Sequence, residues 1–433
     1  MKKLGASLVW MPAVGILAGS WGSALAAEAV DIAGTWELSW IQFGATNVER
    51  VELKTLGEKL SGKAWWGCTI EGTVAGNKLE FKLVDSDKNA VATVTGTAQA
   101  GVLAGSLKIK TDEYDWFAHR PATRPAAAPR SHDFVPTQFH NYFSGKIAPV
   151  LRLWPGDTVH TETVDAGGID KKGVRRSRGG NPLTGPFYVE GALDGDTLVV
   201  HFNRIRLNRD TAESGTSIVA GALEPGYRPA EIKDFDGSWK LDRQQGVARL
   251  GKPTDKLKPF TVPLEPFLGC VGVAPYGHQE ILSGELGAYG GNLDYKQLRE
   301  GTTVYLPVFQ PGALLYVGDG HAAQGDGELT GDALETSMEV EFTIDLVRGK
   351  SSGPRIESDE YVMAVGVGNS LTEALQASTT QLARWLEEEY KLNSSEVAMV
   401  MGFAVQYDIA EVVDPHVNVV AKIKRSALAG LMR

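Results

Sequence analysis

Within residues 318–328 the chain places Asp319, His321, Gln324, Asp326 and Glu328 among glycines, as GDGHAAQGDGE. A neutral imidazole is a common zinc ligand, and carboxylates beside it can ligate, orient the histidine or accept a proton. The same residues would also serve as an Asp-Gly turn closing a hairpin. Three other segments mix glycine with polar or ionisable residues in this manner: 181–192, 266–275 and 290–294. Glycine allows positive φ and lets backbone N–H groups approach a ligand closely. All four segments therefore read as active-site loops.

The elements that must position them are mostly strands. From about Asp31 to Arg120, short runs such as WELSW (36–40), VELKTL (51–56), KLEFKL (78–83) and LAGSLKIK (103–110) alternate apolar with polar. Turn residues such as Ala75-Gly76-Asn77 lie between them. Period two with one buried face predicts an antiparallel meander, closed as a small barrel or folded as a sandwich. Trp36, Trp40, Trp65 and Trp66 could stack on a sugar, but in so small a domain they read as core. RPATRPAAAPR (120–130) has no period, and its prolines predict an extended spacer. The division expected is a β accessory domain over 28–119, a linker over 120–131 and a catalytic domain over 132–433. The last is again strand-rich, at 197–207, 302–309 and 339–347, with turns PGDTV and DGDTL repeating one chemistry. Helices come late. Ser370 to Glu373 is a capping box ahead of Ala374, Leu375, Leu382, Trp385 and Leu386, and Asn393 to Glu396 opens a second helix through Val400 and Phe403. The fold class is mainly β (α+β), with a β-sandwich or barrel-like catalytic domain carrying two late helices.

Length and charge narrow the function. The chain has 433 residues, 22% of them charged, and a formal net charge of −10. That surface gives no electrostatic footprint for nucleic acid or anionic lipid. Lys2 and Lys3, an apolar run from Leu8 to Leu17 and Ala24-Leu25-Ala26 read as a secretory signal over 1–27, so a periplasmic or secreted protein is expected, with no membrane association after cleavage. The two cysteines, Cys68 and Cys270, lack CxxC or CxxH neighbours and read as small core residues.

Several long motifs occur in one order: PLTGPFYVEGA, PFLGCVGVAP, GGNLD, YLPVFQPGALLYVGDGHAAQGDGE and ALE (333–335), preceded by HNYF (140–143), LWPGDTV (153–159) and Asp165. Together they resemble the acetamidase/formamidase family from about residue 132 to 425. The N-terminal β-domain and signal stand outside the usual family pattern, and Asn181 stands where the family usually has histidine. The resemblance implies a mainly β fold, hydrolysis of a small amide to ammonia and a carboxylic acid, and a divalent metal, zinc with calcium as the alternative. An amide is resonance-stabilised, so its carbonyl must be polarised and a water deprotonated, which one metal can do.

On residue type, the metal ligands expected are His321 and Asp294, with His140 and Asp165 behind them. Glu190 and Glu328 are the candidates for general base and for proton donor to the leaving ammonia, with Asp326 in reserve. Asn292 and the amides of Gly290 and Gly291 are the candidates for holding the oxyanion. His119, His201 and His416 read as structural or surface histidines, and Glu387 to Glu389 as a solvated helix face. Two other readings stay open: an exported amidase for a larger amide, such as an aryl-acetamide or a cell-wall fragment, and a non-catalytic carbohydrate- or polymer-binding protein. No GxSxG or Ser-Ser-Lys pattern points to a serine nucleophile. A homo-oligomer is compatible with everything above.

Overall fold

The structure is a computed structural model that describes residues 31–431, apart from 43–44, 100, 127, 230–234, 278 and 350–352. The segment read as a signal (1–27) and His278 lie outside the described residues. The chain divides into two compact units.

Toward the N-terminus, eight strands in sequential order, from Gly34–Gln42 to Asp112–His119, form a closed barrel. The expected alternation is plain in Lys78–Val84, where Leu79, Phe81 and Leu83 are buried and Lys78, Glu80 and Lys82 exposed. Closure leaves no edge strand open to a further chain. Trp36, Trp40 and Trp65 are buried, so they are core residues and offer no stacking platform.

Beyond the barrel, residues 120–130 do not form a free spacer. Arg124 donates to the Pro155 carbonyl and pairs with the buried Asp157 at 2.9 Å, and the Arg130 amide donates to the same carboxylate. A buried carboxylate without partners would be costly, which is why this stretch is held down. The two like turns share their chemistry: Asp157 accepts from the Trp154 amide and Asp196 from the Leu193 amide, each at 3.0 Å.

Two sheets, of eleven and nine strands, face one another in the second unit. Leu198, Val200 and Phe202 from the nine-stranded sheet and Leu268, Val271 and Val317 from the other share one apolar core. Phe187 and Phe342 meet edge-on across it, with centroids 5.3 Å apart. This is the expected sandwich. Helix α1 (Leu371–Tyr390) starts at Ser370, whose side chain accepts from the Glu373 amide, and α2 (Ser394–Ala404) starts with a full capping box at Asn393. A short α3 (Arg425–Leu428) follows. Leu382, Trp385 and Leu386 pack on Val362, Ala364 and Ile423 as their helical spacing requires. Leu375 and Phe403, expected on the buried faces, are instead exposed. Among the described residues no helix is long and apolar enough to cross a membrane.

Candidate functional site

Each of the four glycine-rich segments contributes a strand to one place, while 322–328, with Gln324, Asp326 and Glu328, stays a loop. Leu183–Val189, Phe267–Val273, Gly290–Asn292 and Leu315–His321 are neighbours in the eleven-stranded sheet. Nearly every residue in them is buried, so no polar alternation marks them as strands. Gly185, Gly290 and Gly291 take positive φ, and others permit close packing. A Cβ on Gly320 would stand 2.7 Å from the Thr336 carbonyl oxygen, and one on Gly318 2.9 Å from that of Pro182.

This arrangement gathers acids around one histidine. Asp319 and His321, two apart on a strand, project to the same face. Glu335 is the register partner of His321 on the adjoining strand Glu335–Thr336. Asn292 pairs in register with Cys270, and Asp294 follows it by two. Nε2 of His321 lies 3.1 Å from Glu335, 3.3 Å from Asp319 and 3.9 Å from Asp294. The sets Asp294–His321–Glu328 and Asp319–His321–Glu335 each hold their donor atoms within 4.8 Å of one another, and all five residues are buried. Asp294, Asp319 and Glu328 take positive φ values of 40°, 58° and 49°. Backbone held in that region by a non-glycine residue costs of order 1–3 kcal/mol and clusters at functional sites.

Hydrogen bonds fix the orientation. Gln324 Nε2 donates to the carbonyls of Asp294 and Ala410, at 2.7 and 3.1 Å, so its Oε1 faces Nδ1 of His321 at 3.0 Å. That places the proton of a neutral His321 on Nδ1 and leaves the Nε2 lone pair toward the acids. Asn292 donates to Asp294 and Asp414 and accepts from Asn181 (2.9 Å) and from the Cys270 thiol (2.6 Å). Asn181 also donates to Asp319 at 3.2 Å. The residue where the family usually has histidine thus touches the centre through an amide.

The electrostatics are those of too many acids in too little water. Burial pushes Asp294 well above the ordinary carboxylate range, with the Glu328 carboxylate adding to it. Burial likewise raises Glu328 to about 9 and Glu335 to about 7. Burial alone would lower His321, but the facing Glu335 and Asp319 reverse this and hold it well above an ordinary histidine. Burial raises the Cys270 thiol well above its usual range, Asp319 adding to it, so it is no ready nucleophile. One oxygen each of Asp294, Asp319 and Glu335 is buried without a hydrogen-bond partner among the described residues. Gly269 faces the first of these, since a Cβ there would stand 2.4 Å from Asp294 Oδ1; it would also come within 2.5 Å of Asp319 Oδ2, the oxygen that Asn181 and His321 engage. Partnerless carboxylate oxygens, a directed imidazole lone pair and the room left by a missing side chain fit a divalent cation, and O/N donors suit zinc among others.

Of the residues singled out from sequence, the structure brings together Asp294, His321, Glu328 and Asn292. Asp165 lies behind them, its carboxylate bound by Arg209 at 2.6 Å and by the Ile169 amide at 2.8 Å. Glu190 is taken up by Arg152 at 2.6 Å, and Asp326 pairs with Lys296 at 2.6 Å near the surface. His140 bridges Leu183 through its backbone, and burial lowers its pKa; it is in neither donor set. Gly290 and Gly291 have partner strands on both sides, and the side-chain amide of Asn292 donates to Asp294 and Asp414. His416 is not a bare surface histidine, since its Nδ1 lies 3.0 Å from Glu285. Asp319 is named in the 318–328 segment without a role of its own, and Glu335 only as the end of the ALE motif. The i, i+2 spacing of Asp319 and His321 is the signal for the first, once the segment is read as a strand. Glu335 is found only through strand pairing.

Comparison with known proteins bears on the same region. The Acetamidase/Formamidase family description matches residues 273–427. The acetamidase of Mycolicibacterium smegmatis is 41% identical over 61 residues, 14% of this chain and 15% of that protein. The formamidase of Methylophilus methylotrophus is 27% identical over 263 residues, 49% of this chain and 64% of that protein. The chain therefore spans less than two thirds of either relative's length. The crystal structure of an acetamidase from Bacillus halodurans superposes with a TM-score of 0.59 and 26% identity, covering 70% of this chain and all of the other. Motif match, partial relatives and shared fold together support the acetamidase/formamidase family for this chain.

Proposed function

We propose that the second unit is a metal-assisted amidohydrolase that cleaves a linear amide, of the formamide or acetamide type at its simplest, to ammonia and a carboxylate. The observation that carries this reading is the buried acid group around His321, with partnerless oxygens on Asp294, Asp319 and Glu335. The family support and the relatives' acetamidase and formamidase activities agree with it.

His321 Nε2 and the carboxylates of Asp294, Asp319 and Glu335 are the groups that would hold the ion. The chemistry a divalent ion supplies here is polarisation of the amide carbonyl and acidification of a water molecule. Gln324 keeps the imidazole in the tautomer that leaves Nε2 open. Glu328 belongs both to the buried group and to the wall of an adjoining cavity, so it meets anything arriving from solvent. It would accept the proton of the attacking water and pass it to the departing nitrogen, a general base turned general acid. A cation held among these acids would bring Glu328 down from its raised value toward neutrality, where a carboxyl can both take and return a proton. Export rests on residues 1–27 and is tested by N-terminal sequencing of native protein, where an intact Met1 on a cytoplasmic product would refute it.

The direct test is ammonia release from formamide and acetamide by purified protein of measured metal content. Turnover that follows metal occupancy supports the reading. Metal-replete protein that releases no ammonia from any amide overturns it.

A further inference from the structure

The cavity that reaches Glu328 is far larger than formamide or acetamide needs. It is a cleft open to solvent with a volume of about 540 Å³, within the range of roughly 300–1,000 Å³ that ordinarily receives drug-sized ligands. We infer that the site takes primary amides whose acyl group is apolar and preferably aromatic, neutral or cationic, and that it discriminates against anionic ones. This rests on the amide reading above. Because the nitrogen leaves as ammonia, the bulky group belongs to the acyl side.

Two features of the wall define that group. Trp239, Phe260, Val262, Leu329 and Leu334 make its apolar part. The indole of Trp239 donates through Nε1 to Ser214 Oγ at 3.0 Å, which satisfies its one polar atom and pins the ring. Phe260 stands edge-on to it, centroids 6.4 Å apart. Phe260 and Leu329 are 47% and 44% exposed, so the wall carries large apolar groups that water covers poorly. An aromatic ring between them gains both burial and edge-to-face geometry. The second feature is charge. Besides Glu328, the ionisable groups of the wall among the described residues are Glu265, Asp326 and Asp332, and none of these described lining residues is Lys, Arg or His. Asp326 is neutralised in part by Lys296. The remaining field is negative, which tolerates or attracts a cation and repels a carboxylate.

Gln324 and Glu328 line this cavity and also belong to the centre around His321, Gln324 through its contact with Nδ1 and Glu328 through the donor set it forms with Asp294 and His321. A ring resting against the exposed Phe260 and Leu329 would leave its carboxamide free to reach Glu328, which lines the same cavity. Binding energy from a group remote from the reacting carbon can then raise kcat as well as lower KM.

The test compares kcat/KM of metal-replete protein for acetamide, phenylacetamide, phenylalanine amide and para-carboxyphenylacetamide. Phenylacetamide should exceed acetamide by about tenfold or more, the scale on which a single methylene in an apolar pocket discriminates. Phenylalanine amide should match phenylacetamide, and the carboxylate-bearing amide should fall at least about tenfold below it. Phe260→Ala, at the exposed rim, should lower the phenylacetamide-to-acetamide ratio by about tenfold. Trp239→Leu, checked for native circular dichroism, should do the same. Acetamide turnover with no gain for phenylacetamide, or a ratio unmoved in both folded variants, overturns the inference and leaves the amide reading standing. Failure to hydrolyse any amide removes both.

Discussion

Glu328 and His321 sit in one buried group, yet they carry separable duties, and substitution separates them. Glu328→Gln keeps size and hydrogen bonding but cannot take a proton, so turnover should fall by about 10²–10⁴. Metal content should stay close to wild type, because Asp294, Asp319, Glu335 and His321 still face one another. Parallel metal analysis and ammonia assay check this, and retained turnover would remove Glu328 from proton transfer. At this scale the sequence was partly legible. His321, Asp294, Asn292 and Glu328 could be singled out because histidine and acids among glycines are few enough to notice. Glu190 could not be excluded, because its partner Arg152 lies on Leu151–Leu153, a strand brought beside it only by parallel pairing with 187–189. Asp319 is visible in the same segment, but its pairing with His321 on one face follows only once Leu315–His321 is a strand.

The strands explain why that pairing was hidden. Alternation marks a strand only when one face is wet, which holds in the barrel at Lys78–Val84 and fails in Phe267–Val273, where every residue is buried. Helix starts were legible for a local reason, since Ser370 and Asn393 cap their own first turns through side chains close in sequence. The core-facing residues of those helices were less so: Phe403 follows the apolar spacing of α2 and is nevertheless exposed. The strand Phe267–Val273 also supplies a test independent of charge. Gly269→Ala removes no donor, but its Cβ would come within 2.4–2.5 Å of oxygens on Asp294 and Asp319, fixed by buried strands. Metal affinity should fall at least about tenfold, the scale reported for disturbing groups that support metal ligands. Isothermal titration with zinc measures it. Unchanged affinity would show that the space beside Gly269 is not where the ion sits.

For the molecule as a whole, a buried acid centre must be relieved either by protons or by a cation, and this sets the pH dependence of stability. Glu328 at about 9 and Glu335 at about 7 lie above the roughly 4.3 of an unfolded glutamate. Such groups favour the folded state while protonated, so their contribution is full at low pH and is lost as pH rises through those values. His321, also raised, holds its proton in the folded state and acts in the same direction. Metal-stripped protein should therefore lose thermal stability between about pH 5 and pH 9, and zinc should abolish much of that loss. A Tm of stripped protein that rises over this range would mean the acids are not charged and crowded as described. The account turns most directly on whether His321 joins metal to hydrolysis, which measuring zinc content and acetamide-derived ammonia in the same preparations of wild type and His321→Ala decides. It predicts that the variant keeps the β-rich fold and loses bound zinc, with turnover reduced by about two orders of magnitude or more; full zinc occupancy with normal ammonia release from His321→Ala would contradict it.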